Sequence, residues 1–327
     1  MKAHFAIGLL LALAVSTGRA EQPLLPEARI DLGDVAGPVG PLAVDLGRGR
    51  LFVALPSSDS VAVIDLASRH LIGRVGGLPS GSALAFTPKE DALFVAGGGL
   101  VQRLRGSDLA RTRMVAFDRM PGALAIDQRA GYVFAGSGPA LSILSAGTGR
   151  HLIDVALPGL PQAIALVEQG SRLYVGMPTP GLIAVGDRAS RSKVGQWALE
   201  GLPDAVSLAL DEPRRRLLVA QNHPAVLSTY AADRGSLEGR IAACEQPGNL
   251  SRDILRRRFY LACGDGFIMT VEDGPSGVSE IGRLPTAPGM RHALFVPELD
   301  RLFIGGPEGV TILRPVGPGA EIPTARR

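Results

Sequence analysis

The sequence predicts an all-β fold, a seven-bladed β-propeller of four-stranded antiparallel blades, closed by an N-terminal strand in the last blade. Three observations predict it. The first is an apolar tetrad that recurs seven times: Leu51-Phe52-Val53-Ala54, Leu93-Phe94-Val95-Ala96, Tyr132-Val133-Phe134-Ala135, Leu173-Tyr174-Val175-Gly176, Leu217-Leu218-Val219-Ala220, Phe259-Tyr260-Leu261-Ala262 and Leu302-Phe303-Ile304-Gly305. Successive tetrads start 42, 39, 41, 44, 42 and 43 residues apart, the period of a four-stranded blade. The second is a column of small residues ahead of the tetrads, at Ala43, Ala85, Ala125, Ala165, Ala209 and Ser251, with Leu294 the exception. The third is a strand-like segment, Glu27 to Leu32, before the first blade, where the last repeat lacks a fourth strand.

The N-terminal segment precedes this repeat. Lys2, the apolar run Phe5 to Val15 and the small-residue site around Gly18-Arg19-Ala20 form the pattern of a secretory signal peptide over residues 1–20. The apolar run is about half the roughly 20 residues that a membrane span needs, which disfavours an uncleaved anchor. No later stretch is long and apolar enough to cross a bilayer. The expected address is therefore periplasmic or secreted, with a single propeller domain over residues 21–316 and a flexible tail at 317–327. A monomer is expected. Removing Lys2 and Arg19 from the 34 basic side chains leaves 32 against 31 acidic ones, so the mature chain is close to neutral. Its arginines are spread through every repeat, and nucleic acid is a disfavoured partner. The runs Arg214 to Arg216 and Arg256 to Arg258 read as solvated hairpins.

Within a blade, the small column suits an innermost strand, where converging strands cannot carry bulky side chains. Alternate residues, Val44, Phe86, Ile126, Leu166, Leu210 and Phe295, are placed to pack between blades. The channel wall is expected to be mostly inert. Asp45, Asp127, Asp211 and Asp253 follow the column by two positions. They could form a carboxylate ring around a cation, but the preferred reading is a turn in which Asp accepts hydrogen bonds from backbone amides two residues on. Pro79, Pro121, Pro161, Pro203, Pro247 and Pro288 mark crossings from one blade's outer edge to the next blade's axis. Short turns such as Ser57-Ser58-Asp59 and Gly264-Asp265-Gly266 follow the tetrads and share a face with the crossings. Any site is expected there. Closure by Glu27 to Leu32 removes the unpaired edges an open ring would leave.

The two cysteines, Cys244 and Cys263, are expected to pair in an exported protein. A copper-binding thiol pair is the alternative, but no His or Met stands at a ligating spacing, so no metal is expected. Of the five histidines, His4 belongs to the signal peptide, and His70 and His151 begin outer strands. His223 falls in a turn of blade five and His292 at the start of the innermost strand of blade seven. With Asn249, Asp265 and Arg291 they make a candidate polar rim; surface residues bonding their own turns are the competing reading. The sequence holds no Gly-x-Ser-x-Gly elbow, phosphate loop, paired CxxC or CxxCH. No catalytic residue and no cofactor are therefore assigned. With 5% aromatic residues, there are few platforms for stacking single-stranded bases. Trp197 and Tyr230 read as blade packing.

Three segments carry a resemblance: Arg257-Arg258-Phe259-Tyr260-Leu261-Ala262-Cys263-Gly264-Asp265-Gly266-Phe267-Ile268, then Leu284-Pro285-Thr286-Ala287-Pro288-Gly289, then Leu294 to Phe303. They resemble the closing blades of the bacterial YVTN-type, YncE-like family of exported propellers, whose members often carry the same two cysteines. Relatives often have a Cys-Gly-Asp-Ala-Asp-Asp run where this chain reads Cys244-Glu245-Gln246-Pro247-Gly248-Asn249, without the acidic pair. The resemblance implies the fold and an extracytoplasmic address, and carries over no catalytic residue.

The expected function is a non-enzymatic binding scaffold whose crossing face, at blades five to seven, takes an unknown protein or small ligand. A lactonase or muconate-cyclising enzyme is the alternative, by analogy of fold. Single-stranded DNA binding is the third reading.

Overall fold

A computed structural model describes residues 22–317 other than 36, 80, 82, 200–204 and 276. The expected signal peptide and residues 318–327 of the expected tail lie outside the described residues. The described chain forms seven four-stranded antiparallel sheets. Their innermost strands are Leu42–Asp45, Ala83–Thr87, Ala123–Asp127, Ala163–Leu166, Ala205–Asp211, Pro247–Asp253 and His292–Val296. These neighbour one another in order, and the last adjoins the first, so the ring is closed. This is a seven-bladed β-propeller.

The tetrads are continuous apolar runs because each strand is sandwiched between two blades. Leu51 and Val53 pack with Phe303 and Ile312 of blade seven, whereas Phe52 and Ala54 pack with Leu84 and Leu93 of blade two. Successive side chains thus face opposite neighbours and both faces are buried, so no polar alternation survives. The small column has a steric partner: Ala43 lies opposite Phe52, Ala125 opposite Phe134 and Ala165 opposite Tyr174. A large ring on the second strand fills the volume that the small inner residue leaves, which suits a wedge tapering toward the axis. Between the third and fourth strands of blades one to six the register slips by a bulge, as between Val63 and Ile64. Such bulges increase local twist.

The closing strand is Leu24–Ile30, with Leu24 opposite Pro315 and Ile30 opposite Val310. It starts earlier and ends earlier than the expected Glu27 to Leu32. Leu24 and Ile30 are fully buried, which anchors both ends of the seam.

On the face opposite the crossings, Asp45, Asp127 and Asp253 accept from turn amides as expected, whereas Asp211 has Pro213, which lacks an amide hydrogen, two residues on. Asp127 Oδ1 accepts from the amides of Arg129 and Ala130, both at 3.0 Å, and Asp253 Oδ1 from those of Leu255 at 2.9 Å and Arg256 at 3.1 Å. All four carboxylates are also buried and paired with arginine. Arg188 of blade four reaches Asp127 of blade three at 2.7 Å, and Arg252 of blade six reaches Asp211 of blade five at 2.9 Å. Arg256 bridges Asp253 and, through two bonds at 2.6 and 2.8 Å, Asp300 of blade seven. The arginine runs are therefore not plain solvated hairpins. Arg216 binds Asp273 at 2.6 Å, although burial still pushes the Asp273 carboxyl above its ordinary value. A buried carboxylate needs such a partner.

Candidate ligand site at the channel mouth

Cys244 and Cys263 are joined, with Cα atoms 5.8 Å apart. Cys244 lies just past the outer strand of blade five and Cys263 ends the second strand of blade six, so the bridge ties two blades on the crossing face. Asp265 Oδ lies within 4.8 Å of both sulfurs. With the thiols consumed in the disulfide, this trio offers a cation one carboxylate.

Around this bridge the crossings interlock. The Gly264 amide donates to Gln246 O at 2.8 Å and the Gly289 amide to Gly264 O at 2.7 Å. Arg291 lies across this junction: its guanidinium donates to Pro247 O at 3.0 Å, and its stem covers Gly264. A Cβ on Gly248 would run into the Arg291 carbonyl, so glycine is needed there for the two crossings to meet.

Asn249 begins the inner edge of blade six. Its amide donates to Arg291 O at 3.0 Å. Its side chain takes both polar groups of Ala293: Oδ1 accepts from the Ala293 amide at 2.6 Å, and Nδ2 donates to the Ala293 carbonyl. Ser251 Oγ donates to that same carbonyl at 3.0 Å. One blade back, Ser207 Oγ accepts from the Leu250 amide at 2.9 Å. Innermost strands expose backbone groups along the channel with no further strand to pair them, and these side chains satisfy them.

Two positions before the small column stand Pro41, Ala83, Ala123 and Ala163 in blades one to four, then Ser207, Asn249 and His292 in blades five to seven. The polar positions thus fall on three consecutive blades. Ser207 and Asn249 spend their polar atoms on the next strand, whereas the His292 ring makes no hydrogen bond among the described residues. Burial, and then the Arg291 charge, lower the His292 pKa to about 4, so the ring is neutral at pH 7.

Of the five rim residues expected, the structure brings Asn249, Asp265, Arg291 and His292 together where blades six and seven meet. Asn249 and Arg291 are held in interblade bonds. Asp265 is exposed in its turn. His223 stands on the neighbouring blade, exposed in the turn at 222–225 and followed by a cis bond to Pro224. Ser207 was not among the expected residues. The signal for it is the same column, read two positions earlier, where an Ala or Pro pattern gives way to Ser.

No protein-family model matches this chain, and no curated protein matches it in sequence. In structure it is similar to a chain of the mitotic checkpoint complex, with a TM-score of 0.77 and 15% identity, covering 97% of this chain and 98% of that one. It is also similar to a chain of Kuenenia stuttgartiensis hydrazine synthase, with a TM-score of 0.75 and 14% identity, covering 86% and 96%. At these identities the likeness is one of fold.

Proposed function

We propose that this protein is an exported propeller of the YVTN-type, YncE-like kind, and that it acts as a non-enzymatic scaffold binding a protein or small ligand where blades five to seven meet the channel mouth. One observation carries the reading. Where Ser207 and Asn249 use their side chains to satisfy the adjoining strand, His292 keeps a neutral imidazole with no hydrogen-bond partner among the described residues, beside the exposed Arg291. A neutral ring offers one donor and one acceptor, and a neighbouring guanidinium offers charge, which together suit an oriented polar group. The disulfide and the interlocked crossings hold this patch rigid, which limits the entropy lost on binding.

The test is a thermal-shift screen of the full-length protein against small metabolites and extracytoplasmic proteins. A partner of the mouth raises the melting temperature of the wild type and loses most of that shift in His292→Gln and Arg291→Gln. A partner whose shift is the same in both variants binds elsewhere and removes the mouth from consideration.

A further inference from the structure

Several turn aspartates of this chain spend their carboxylates on their own turns. Asp65, Asp127, Asp187 and Asp253 accept from amides two or three residues on, at 2.7, 3.0, 2.7 and 2.9 Å. Asp265 does not. Its carboxylate makes no hydrogen bond or ion pair among the described residues, and it lies within 4.8 Å of the sulfurs of both Cys244 and Cys263. Arg283, the cation that feels its charge, is held by Glu280 through bonds at 2.6 and 3.0 Å. A disulfide by itself gives no reason for an uncommitted carboxylate beside its sulfurs.

We propose that, in the dithiol state of the chain, Cys244 Sγ, Cys263 Sγ and Asp265 Oδ hold a zinc-type divalent cation. Two thiolates and one carboxylate are ligand types that such a cation takes. A small dithiol opens the bridge by thiol–disulfide exchange: its own thiols are oxidised to a disulfide, and two electrons and two protons pass to Cys244 and Cys263. The cation then displaces the two thiol protons to solvent, with Asp265 as its third ligand and water as its fourth. Disulfide and cation are thus alternative clasps between blades five and six.

The surroundings suit this exchange. The segments that carry the ligands are joined by backbone bonds that do not depend on the bridge: the Gly264 amide donates to Gln246 O at 2.8 Å, and the Gly266 amide to Cys263 O at 3.0 Å, which closes the turn presenting Asp265. A tetrahedral cation needs its two sulfurs roughly 3.8 Å apart. With the Cα atoms 5.8 Å apart, rotation about the Cα–Cβ bonds reaches that separation. The cysteines are buried among Leu250, Phe259, Leu261 and Met269, where two bare thiolates are costly and a divalent cation offsets their charge. Asp265 is exposed and gives the cation its way in. An oxygen-seeking ion such as Ca²⁺ finds a single carboxylate there, too few ligands to hold it. The site uses neither His292 nor Arg291, so it stands or falls apart from the channel mouth.

The experiment titrates Zn²⁺ and Co²⁺ into the full-length protein, oxidised or reduced with dithiothreitol and freed of it, with free thiols counted. Wild type is compared with Asp265→Asn, Cys244→Ser/Cys263→Ser and Glu298→Gln, an exposed carboxylate on the opposite face. The expected result is one Zn²⁺ per reduced chain, a sulfur-to-metal charge-transfer band in the Co²⁺ form, and a melting temperature of the reduced protein that rises with Zn²⁺. Affinity should fall at least about tenfold in Asp265→Asn, vanish in the double serine variant and hold in Glu298→Gln. Oxidised Asp265→Asn is expected to melt with wild type, which separates a lost ligand from lost folding. Reduced wild type binding no tighter than the double serine variant, or as tightly as Asp265→Asn, overturns the proposal. Equal binding by the oxidised protein places the cation elsewhere and overturns it too, as does a bridge that opens only with loss of the cooperative melting transition.

Discussion

Asn249 holds the Ala293 peptide by both its ends, accepting from the amide through Oδ1 at 2.6 Å and donating to the carbonyl through Nδ2. This side chain replaces, for one residue of blade seven, the neighbouring strand that a channel edge lacks. Asn249→Ala is expected to destabilise by about 1–3 kcal/mol, the cost of leaving the buried Ala293 amide unmet while its carbonyl keeps the bond from Ser251 Oγ. Urea titration gives the value, and Asn249→Asp should recover only part of it because a carboxylate accepts without donating.

The seam at blade seven depends on the buried Leu24 and Ile30. Removing residues 22–32 is expected to abolish the single cooperative transition, because it leaves the Gly309–Pro315 strand as an open edge. Calorimetry decides this: an unchanged melting curve would show that the ring does not need its N-terminal strand.

Reduction of Cys244–Cys263, whose sequence separation is 19, should cost roughly 3 kcal/mol by the loop-entropy argument. The comparison is guanidinium unfolding of wild type and Cys244→Ala/Cys263→Ala. A difference near zero would mean that the crossings alone hold blades five and six together.

His292 gives a pH signature. Its pKa is lowered to about 4 from the ordinary histidine value of 6.5, so between those pH values the unfolded chain binds more protons than the native one. Stability contributed by the neutral ring is present above about pH 6.5 and is lost progressively as the pH falls toward 4, by up to about 3 kcal/mol. Chemical denaturation at steps of pH should show this slope in the wild type and a flatter profile in His292→Asn.

Arg256 sits between the buried Asp253 and the partly exposed Asp300. Arg256→Met leaves the Asp253 carboxylate, fully buried and also accepting from Tyr260 Oη at 2.6 Å, without its cation. A loss of about 3–5 kcal/mol is expected. The double variant Arg256→Met/Asp253→Asn should recover part of it, since removing the second charge lifts the desolvation cost. Equal losses in the two would contradict the buried-pair account.

The fold was legible because its signals are local and periodic. Seven tetrads, a column of small residues and proline crossings each follow from how a radial sheet packs between two others, and the displaced strand followed from counting strands in the last repeat. The cysteine pairing was legible as well. Arg291 and Asn249 stood out as breaks in the repeat, but their interblade bonds join residues about 42 positions apart in sequence, as between Asn249 and Arg291.

The chain by itself therefore determined the blade count, the identity of each inner strand and the turn role of Asp127 and Asp253, because period and residue size specify them. Tertiary structure alone decided which charges are consumed. Arg214, Arg215 and Arg216 are the same residue type in one short run, yet two face buried carboxylates and the third faces solvent, because a turn with left-handed geometry directs successive side chains apart. The same closure of the ring left His292 without the bonds that Ser207 and Asn249 make.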